Sequence, residues 1–345
     1  MEELLRSTGL PCCAVMVKSK DQMAVSLRDQ PGPARVRDPG SPPVGGGEGS
    51  DTGRGRRIDV GGFCLNSLRL LADRPDLPPL VFIHGASTSL LDPLYAFRST
   101  LEGRAHLLFV DRPGHGLSDH GPDANILPDA QGHAIARLMA LRGIDRAILV
   151  GHSYGGAVAA AMALDHPERV IGTLFLAPAL YPWPGGIAWY YRTARARILG
   201  ALFCRLVVPW AGRLAMRAAA QGVFSPDPMP SDYLKATRAV EAVAPAAFRH
   251  NAREISALLA WTERTHHRYR TIRTPSVIIT GTKDDVVSPK LHSQRLAREL
   301  PQAELIAVNG LGHKPDVHAT ELAVAAIEKL ARASSSNADE ALVGE

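Results

Sequence analysis

Cysteine is scarce in this sequence, and motifs for metals, phosphates and dinucleotides are missing. The 345 residues include only Cys12, Cys13, Cys64 and Cys204, which lack the spacing of a metal site. There is no G-x-x-x-x-G-K-[ST], no G-x-G-x-x-G after a suitable strand, no H-E-x-x-H and no paired C-x-x-C. The sequence therefore predicts no metal and no organic cofactor. Cysteines of this kind are typical of a reducing compartment, so a cytoplasmic location is expected.

Long apolar runs are also lacking. The apolar residues 10–17 follow Glu2 and Glu3 instead of a basic region, which argues against a secretory signal. The apolar stretch 198–208 is interrupted by Arg205 and is shorter than the ~20 residues that a membrane span needs. A helix of the fold is the predicted state of this stretch, with a position at a membrane surface as the alternative. The net charge of +5 comes without a nucleic-acid-binding motif, so no nucleic-acid partner is predicted.

Composition divides the chain into unequal parts. Residues 1–57 are rich in Gly and Pro, cannot bury enough apolar surface to offset chain ordering, and are predicted to be disordered. Residues 333–345 are predicted to form a flexible tail. With 46% hydrophobic residues, the rest is long enough for one large α/β domain that carries an insertion. The number of subunits does not follow from the sequence.

The pentapeptide GHSYG at residues 151–155 is the most informative motif. It follows the apolar run 147–150 and precedes a run of small, helix-favouring residues, which places Ser153 on a tight turn between a strand and a helix. Small residues flank such a serine because its backbone is strained and crowded. The N-terminus of the following helix favours negative charge near the serine.

A serine hydroxyl needs a base, and the base needs a group that orients it. Downstream, the predicted strand 274–280 leads to Asp284, and the predicted strand 303–308 leads to His313 within an N-G-L-G-H loop. Asp285 is the rival of Asp284. Most of the 13 histidines are expected to be structural, including His152 beside the serine. The order along the chain is Ser, Asp, His.

With the HGAS sequence at 84–87 after the apolar strand 79–83, and DRPGHG at 111–116 after the apolar strand 106–110, the chain resembles the α/β-hydrolase superfamily. The resemblance covers about residues 58–330 and is closest to the serine-nucleophile group with a helical cap. It implies a mostly parallel central sheet flanked by helices. The implied core comprises residues 58–180 and 272–332, and the implied cap, residues 181–271, is inserted before the acid-bearing strand.

The resemblance also implies a role for each site residue. Ser153 is the expected nucleophile, His313 the general base and Asp284 the orienting carboxylate. The backbone N–H groups of Ala86 and Tyr154 are the expected oxyanion hole. In addition, His84 is expected to shape the oxyanion loop, and Asp111 and Arg112 to form an ion pair that braces their own loop.

The predicted insertion is unusual in its rings and its charge. It contains all four tryptophans, Trp183, Trp189, Trp210 and Trp261, which predict either an apolar ligand pocket or packing between cap helices. Residues 181–270 carry 13 Lys+Arg and five Asp+Glu. This excess of positive charge indicates attraction of an anionic substrate or an acidic membrane surface, or simply a solvated helical surface.

The sequence predicts a cofactor-free serine hydrolase that cleaves a small or medium apolar acyl ester or thioester through an acyl-enzyme. An aspartate at the position of Ser153 would instead have indicated epoxide or haloalkane chemistry. A C–C bond hydrolase, an acyltransferase or a lyase on the same triad remains an alternative. A small-molecule receptor without turnover is the second alternative, and the natural substrate is left open.

Overall fold

The structure is a computed structural model that describes Asp51 and residues 53–343, with side chains described as far as Ser334. Its centre is an eight-stranded sheet with the order β1-β2-β4-β3-β5-β6-β7-β8. The strands β3 to β8 are parallel, whereas β1 and β2 are antiparallel to their neighbours. Their bounds are β1 Arg56–Asp59, β2 Cys64–Leu70, β3 Leu80–Ile83, β4 Leu107–Val110, β5 Ala147–His152, β6 Val170–Leu176, β7 Ser276–Gly281 and β8 Ala303–Val308.

Helices cover both faces of this sheet because alternate strand residues point to opposite sides. In β3, Val81 and Ile83 belong to one apolar core, while Leu80 and Phe82 belong to the other. The first core is closed by α2 (Pro128–Leu141), α3 (Tyr154–Asp165) and α9 (Ser293–Glu299). The second is closed by α1 (Leu91–Leu101), the short α10 (Pro315–His318) and α11 (Thr320–Val343). The predicted fold class, a mostly parallel sheet flanked by helices, is confirmed.

A helical insertion separates β6 from β7. Within residues 181–271, the described chain forms α4 (Trp189–Arg195), α5 (Leu199–Leu206), α6 (Val208–Phe224), α7 (Tyr233–Ala236) and α8 (Pro245–Thr265), together with short 3₁₀ turns. The first three helices pack around α8 through a small apolar core of their own, which includes Tyr191, Cys204 and Ala252. The long helix α8 also contacts the loops of the sheet domain, and this contact brings the insertion to the candidate site.

Two predicted boundaries differ from the structure. The strand β1 begins at Arg56, inside the segment predicted to be disordered, and two residues ahead of it are also held: Asp51 pairs with Arg142, and Arg54 pairs with Glu241. Residues 1–50 and residue 52 of that prediction lie outside the described residues. The segment predicted to be a flexible tail from residue 333 is helical as far as Val343. Its sequence contains neither Gly nor Pro between Thr320 and Val343, so nothing in it ends the helix earlier.

The helices of the described chain are short or only partly apolar relative to a membrane span. No single one of them is long and apolar enough to cross a bilayer. The consecutive helices α5 and α6 meet the length and hydropathy requirements only as a pair, and they are bent by 63° relative to each other.

Candidate active site

Ser153 lies between β5 and α3, at the edge of the sheet where the parallel strands end. Its backbone is left-handed in φ, with φ 53° and ψ −115°, a conformation that costs about 1–3 kcal/mol in a non-glycine residue. Three backbone hydrogen bonds hold it: its N–H donates to Leu176 at 2.9 Å, and its carbonyl accepts from Gly156 and Ala179 at 3.0 and 3.1 Å. The end of β6, the residues that follow it and the first turn of α3 therefore hold the strained turn in place.

Close backbone packing explains the glycines around Ser153. A Cβ atom on Gly155 would lie 2.1 Å from the carbonyl oxygen of Ile83, at the end of β3. A Cβ atom on Gly151 would lie 2.6 Å from the carbonyl oxygen of Gly155. Both distances are far below van der Waals contact and both obstacles are backbone. The turn can pack against β3 only when these positions are glycine.

The side chains of Asp284 and His313 contact each other at the same edge of the sheet. The Nδ1–H group of His313 donates to Asp284 Oδ2 at 2.7 Å, and both residues are buried. The other carboxylate oxygen, Oδ1, accepts from the backbone N–H groups of Val286 and Val287 at 2.9 and 2.8 Å. Since the carboxylate can only accept, the proton of the imidazole is on Nδ1. The Nε2 lone pair of His313 is thus available to take a proton.

The structure distinguishes Asp284 from Asp285, the alternative acid. Asp285 is exposed, whereas Asp284 contacts the histidine. His152 contributes differently: its Nε2–H donates to the backbone carbonyl of His313 at 2.9 Å, and burial lowers its pKa to about 4. A neutral His152 therefore holds the backbone of the histidine loop. Within the described chain, no hydrogen bond joins Ser153 Oγ to the His313 ring.

The two predicted oxyanion donors flank Ser153. The Tyr154 amide belongs to the first turn of α3, where backbone N–H groups have no carbonyl partner within the helix. The Ala86 amide follows Gly85, on which an added Cβ would lie 3.3 Å from the Cβ of Ser153. Among the described residues, no hydrogen bond occupies the Ala86 N–H. Both amides belong to segments that adjoin the serine.

The loop that carries Ala86 is held by Arg112. The fully buried guanidinium of Arg112 donates to the carbonyls of His84 and Gly85, both at 3.0 Å. His84 adds two contacts, because its Nδ1–H donates to Gly85 O at 2.8 Å and its Nε2 accepts from the Arg112 N–H at 3.1 Å. Burial and the Arg112 charge keep the pKa of His84 well below its ordinary value. The expectation that His84 shapes this loop agrees with these contacts.

The ion-pair partner of Arg112 is Glu254 of α8, at 3.0 Å, so the expected pair with Asp111 is wrong. Asp111 instead accepts hydrogen bonds from the backbone of Leu90 and Leu117 and from Asn66. Burial alone would raise the pKa of Glu254, but the Arg112 charge together with the contacts of His115 and His250 outweighs it and holds that pKa well below its ordinary value. Sequence reasoning missed Glu254 because a single glutamate in a helix, far along the chain, gives no local signal.

A second contact joins α8 to the same loop. The Ser87 N–H donates to Asn251 Oδ1 at 3.0 Å, and Asn251 Nδ2 donates to Ser87 Oγ at 2.8 Å. Ser87 also has a positive φ of 57°. Asn251 of the insertion therefore holds the predicted oxyanion loop at Ser87, while Arg112 holds it at His84 and Gly85.

Lys314, directly after His313, lies in a buried ionic cluster that the sequence did not reveal. Its ammonium donates to Asp92 at 2.9 and 3.0 Å and to Asp316 at 2.8 Å. The Tyr233 hydroxyl of α7 also donates to Asp92, at 2.8 Å. Burial would lower the pKa of Lys314, but Asp316 and Asp92 outweigh it and hold that pKa well above its ordinary value. This cluster anchors the backbone beside His313.

Two groups of described residues have the donor atoms of a metal site. They are His115 with His250 and Glu254, and Asp92 with His152 and Asp316. Each group already contacts a cation of the protein, since Arg112 pairs with Glu254 and Lys314 pairs with both aspartates. The ion pairs supply the positive charge that these carboxylates require.

The aromatic rings of the insertion differ in how far they are buried. Trp261, Phe224 and Tyr233 are buried. Trp189 and Trp210, in contrast, are 62% and 82% exposed. Packing of the insertion accounts for the buried rings, and the half-buried Trp183 donates its Nε1–H to the carbonyl of Gly186. Trp189 contacts the rings of Tyr190 and Phe203, yet most of its surface, like that of Trp210, is exposed.

Comparison with known proteins agrees with this architecture. Lipase 3 of a Moraxella species is 26% identical over 256 residues, covering 70% of this chain and 74% of the lipase. The acetyltransferase component of the Pseudomonas putida acetoin cleaving system is 27% identical over 284 residues, covering 79% of this chain and 69% of that protein. A putative lipase of Acinetobacter baumannii has the same fold, with a TM-score of 0.66 at 18% identity, over 84% of this chain and 93% of that structure.

The family assignment rests on a longer match. The sequence model of the alpha/beta hydrolase family matches residues 80–327, which run from β3 into α11. The matched segment contains the serine turn, the Asp284 and His313 loops and the helical insertion. The chain belongs to the alpha/beta hydrolase family.

Proposed function

We propose that this protein is a serine hydrolase that cleaves a small or medium apolar acyl ester or thioester through an acyl-enzyme intermediate. The observation that carries the proposal is the 2.7 Å hydrogen bond between His313 Nδ1 and Asp284, at the sheet edge where the strained turn presents Ser153. An imidazole whose Nδ1 is held by a carboxylate offers Nε2 as a base. The three residues have the chemical types that acyl transfer needs.

The reaction follows from these assignments. His313 Nε2 takes the proton of Ser153 as the hydroxyl oxygen attacks the carbonyl carbon. The Ala86 and Tyr154 N–H groups stabilise the negative charge that develops on the carbonyl oxygen. Protonated His313 then gives its proton to the leaving alcohol or thiol, which departs and leaves an acyl group on Ser153. Water, deprotonated by the same histidine, releases the acid and restores the serine.

Backbone donors are efficient only when they are already aimed at the developing charge, and each is worth roughly 3–4 kcal/mol of barrier. The hydrogen bonds from Arg112 and Asn251 fix the loop that carries Ala86. The loop therefore does not need to be ordered by substrate. This rigidity supports the proposed oxyanion hole and argues against a receptor that lacks turnover.

The test is hydrolysis of p-nitrophenyl esters with acyl chains of about two to twelve carbons. We expect wild type to show an optimum at one chain length, and both Ser153→Ala and His313→Ala to lose at least about 10⁴-fold in kcat. Circular dichroism of each variant controls for folding. If wild type cleaves no ester, or Ser153→Ala cleaves them as fast as wild type, the proposal is wrong.

Acyl transfer is the second candidate. The relative from Pseudomonas putida that carries an acetyltransferase name is similar over 79% of this chain. An acyl-enzyme on Ser153 can be attacked by an alcohol or thiol in place of water. Adding a series of alcohols to the ester assay tests this candidate, because a transferase forms the new ester at the expense of the free acid.

A further inference from the structure

The large apolar side chains that are exposed among the described residues are concentrated on the surface of one segment of the insertion. Of twelve large hydrophobic side chains that are exposed among the described residues, eight lie between Trp189 and Leu214. We call this surface the apolar patch, and it consists of Trp189, Ile198, Leu199, Leu202, Leu206, Val207, Trp210 and Leu214. Large apolar side chains exposed in such number within one segment mark an interaction site in a folded protein.

The patch is built from the outward faces of two helices. In α5, Gly200 and Cys204 turn inward, and Leu199, Leu202 and Leu206 lie on the opposite side at helical spacing. In α6, the exposed Trp210 and Leu214 are four residues apart and share one face. Neither set is needed for the core of the insertion, which the inward faces supply.

Positive charge accompanies the patch without any negative charge. Between Trp189 and Phe224, the chain has six arginines and no Asp or Glu. These arginines, all exposed or at the margin of the patch, are Arg192, Arg195, Arg197, Arg205, Arg213 and Arg217. Long arginine side chains lay their stems along apolar surface while their charged ends reach outward. The charge complement of this surface is anionic.

We propose that the apolar patch binds the surface of an anionic phospholipid bilayer. Apolar helix faces with a cationic margin lie in the plane of such a surface, with their side chains at the boundary of headgroups and acyl chains. Tryptophan is favoured at this boundary because its ring is apolar and its N–H is polar, and the patch has two tryptophans. Each arginine near an anionic surface adds roughly tenfold or less to binding.

The helix geometry favours lying on the bilayer over crossing it. The helices α5 and α6 have eight and 17 residues, both short of the ~20 that a span requires. They are bent by 63° at their junction, so they do not continue as one rod. Their joint hydropathy nevertheless matches that of a spanning segment. Two short, bent helices with an apolar outer face fit the membrane boundary.

A second copy of this chain fits the patch less well. In a two-fold symmetric dimer, the same surface would face itself. Six arginines would then approach six arginines, with no acidic side chain from this part of either chain to pair with them. The charge therefore favours lipid headgroups as the occupant, and self-association is an outcome that the test can detect.

The test is co-sedimentation of the full chain with vesicles, in a Ser153→Ala background so that hydrolysis cannot alter the lipid. We expect binding to phosphatidylcholine vesicles with about 30% phosphatidylglycerol, weak binding to phosphatidylcholine alone, and release in about 0.5 M salt. Trp210→Ala combined with Leu214→Ala, and separately Arg213→Gln combined with Arg217→Gln, should each lower the partition coefficient at least about tenfold.

Control variants use residues of the same kinds that are also exposed but lie elsewhere in the chain. Leu141→Ala with Leu322→Ala controls for lost apolar surface, and Arg74→Gln with Arg146→Gln controls for lost charge. Both controls should bind vesicles like the parent. With Ser153 restored, every variant should hydrolyse a short soluble ester at the parent's rate, which excludes misfolding. Because the binding assay needs no turnover, its result is independent of the proposed function.

Two results would overturn the proposal. One is failure of the parent to bind anionic vesicles, or equal loss of binding in the controls. The other is a concentration-dependent dimer in gel filtration that Trp210→Ala with Leu214→Ala abolishes while vesicle binding is absent. In that case, the patch is an interface between copies of this chain.

Discussion

At the scale of single residues, the candidate site depends on which atom of each side chain is already occupied. Asp284 uses one oxygen for two backbone amides and the other for His313 Nδ1. His152 uses its Nε2–H for the His313 carbonyl. These contacts leave His313 Nε2 as the proton acceptor that faces away from the carboxylate. The chemistry we propose for Ser153 requires this tautomer.

Neighbouring aspartates allow a sharp test of that tautomer. In Asp284→Asn, the amide can turn its NH₂ toward the histidine, which would place the imidazole proton on Nε2 and remove the base. We expect kcat for ester hydrolysis to fall about 10³- to 10⁴-fold. Asp285→Asn should change kcat less than about twofold, since Asp285 is exposed. Equal losses in both variants would exclude the assignment of Asp284.

The residues of the site differ in how visible they are in the sequence. Ser153 follows β5 directly, and Asp284 and His313 lie within five residues of the ends of β7 and β8, so the strands alone predict a common edge. Glu254 and Lys314 carry no such mark. Glu254 contacts Arg112 from 142 positions away, and Lys314 contacts Asp92 from 222 positions away. Long-range ion pairs depend on the packed fold, which local patterns do not encode.

At the scale of elements, one helix of the insertion, α8, is fastened to the loops after β3 and β4. Glu254 and Asn251 of α8 reach Arg112 and Ser87, which belong to the loops after β4 and β3. The sequence predicted helices in this insertion and the strands beneath it. It did not predict which helix would make the contact, because several segments of the insertion are amphipathic. A buried ion pair now identifies α8 as that helix.

This pair should behave as a buried one. Arg112→Met and Glu254→Met should each lower the free energy of unfolding by about 3–5 kcal/mol, since each leaves an unpaired buried charge. The double variant should be less destabilised than the sum of the two, because neither charge remains. Urea unfolding measures all three, and Arg57→Met provides the control. Arg57 pairs with Asp119 at the surface, and its loss should change the free energy of unfolding far less than the loss of Arg112.

Strict additivity in this cycle would contradict the ion pair. Arg112→Met should also lower kcat, since Arg112 holds the carbonyls of His84 and Gly85. A positioning role predicts that kcat falls while KM changes little. A purely structural role would instead lower only the amount of folded protein.

At the scale of the whole molecule, charge is unevenly divided. The insertion is strongly positive, whereas the remainder of the chain is slightly negative in total. The apolar patch lies in the positive part, and the candidate site lies where the two parts meet. This division agrees with a protein whose insertion meets an anionic surface while its sheet domain carries the reaction.

Buried neutral histidines make the stability of the whole fold sensitive to pH. Burial lowers the pKa of His115, His152 and His292 to about 4 each. Between about pH 6.5 and pH 4 the unfolded chain therefore binds more protons than the folded one, and stability falls as pH falls. Each histidine contributes at most about 1.4 kcal/mol per pH unit. Glu254 and Asp316, whose pKa values are lowered, add to the fall in stability as pH drops through their ordinary values of 4.5 and 3.8, at the lower end of this window and below it.

Replacing His292 tests the contribution of one histidine to this pH dependence of stability. Its Nδ1 accepts the backbone N–H groups of Leu180 and Tyr181, both at 3.0 Å, which only an unprotonated nitrogen can do. An asparagine oxygen can accept the same bonds without titrating. Urea unfolding at pH 7, 6 and 5 should show a shallower fall in stability for His292→Asn than for wild type. An unchanged slope would contradict a neutral buried His292.

Ser153 is proposed to be the activated nucleophile, and mass spectrometry of the phosphonyl adduct that it forms on displacing fluoride from a fluorophosphonate tests this most directly. After incubation with a fluorophosphonate, we expect one adduct per chain, on the peptide that contains Ser153. Ser153→Ala should give none, and His313→Ala should react at least about 10³-fold more slowly. An adduct on another residue, or no adduct in a wild-type protein that still cleaves esters, would contradict the account.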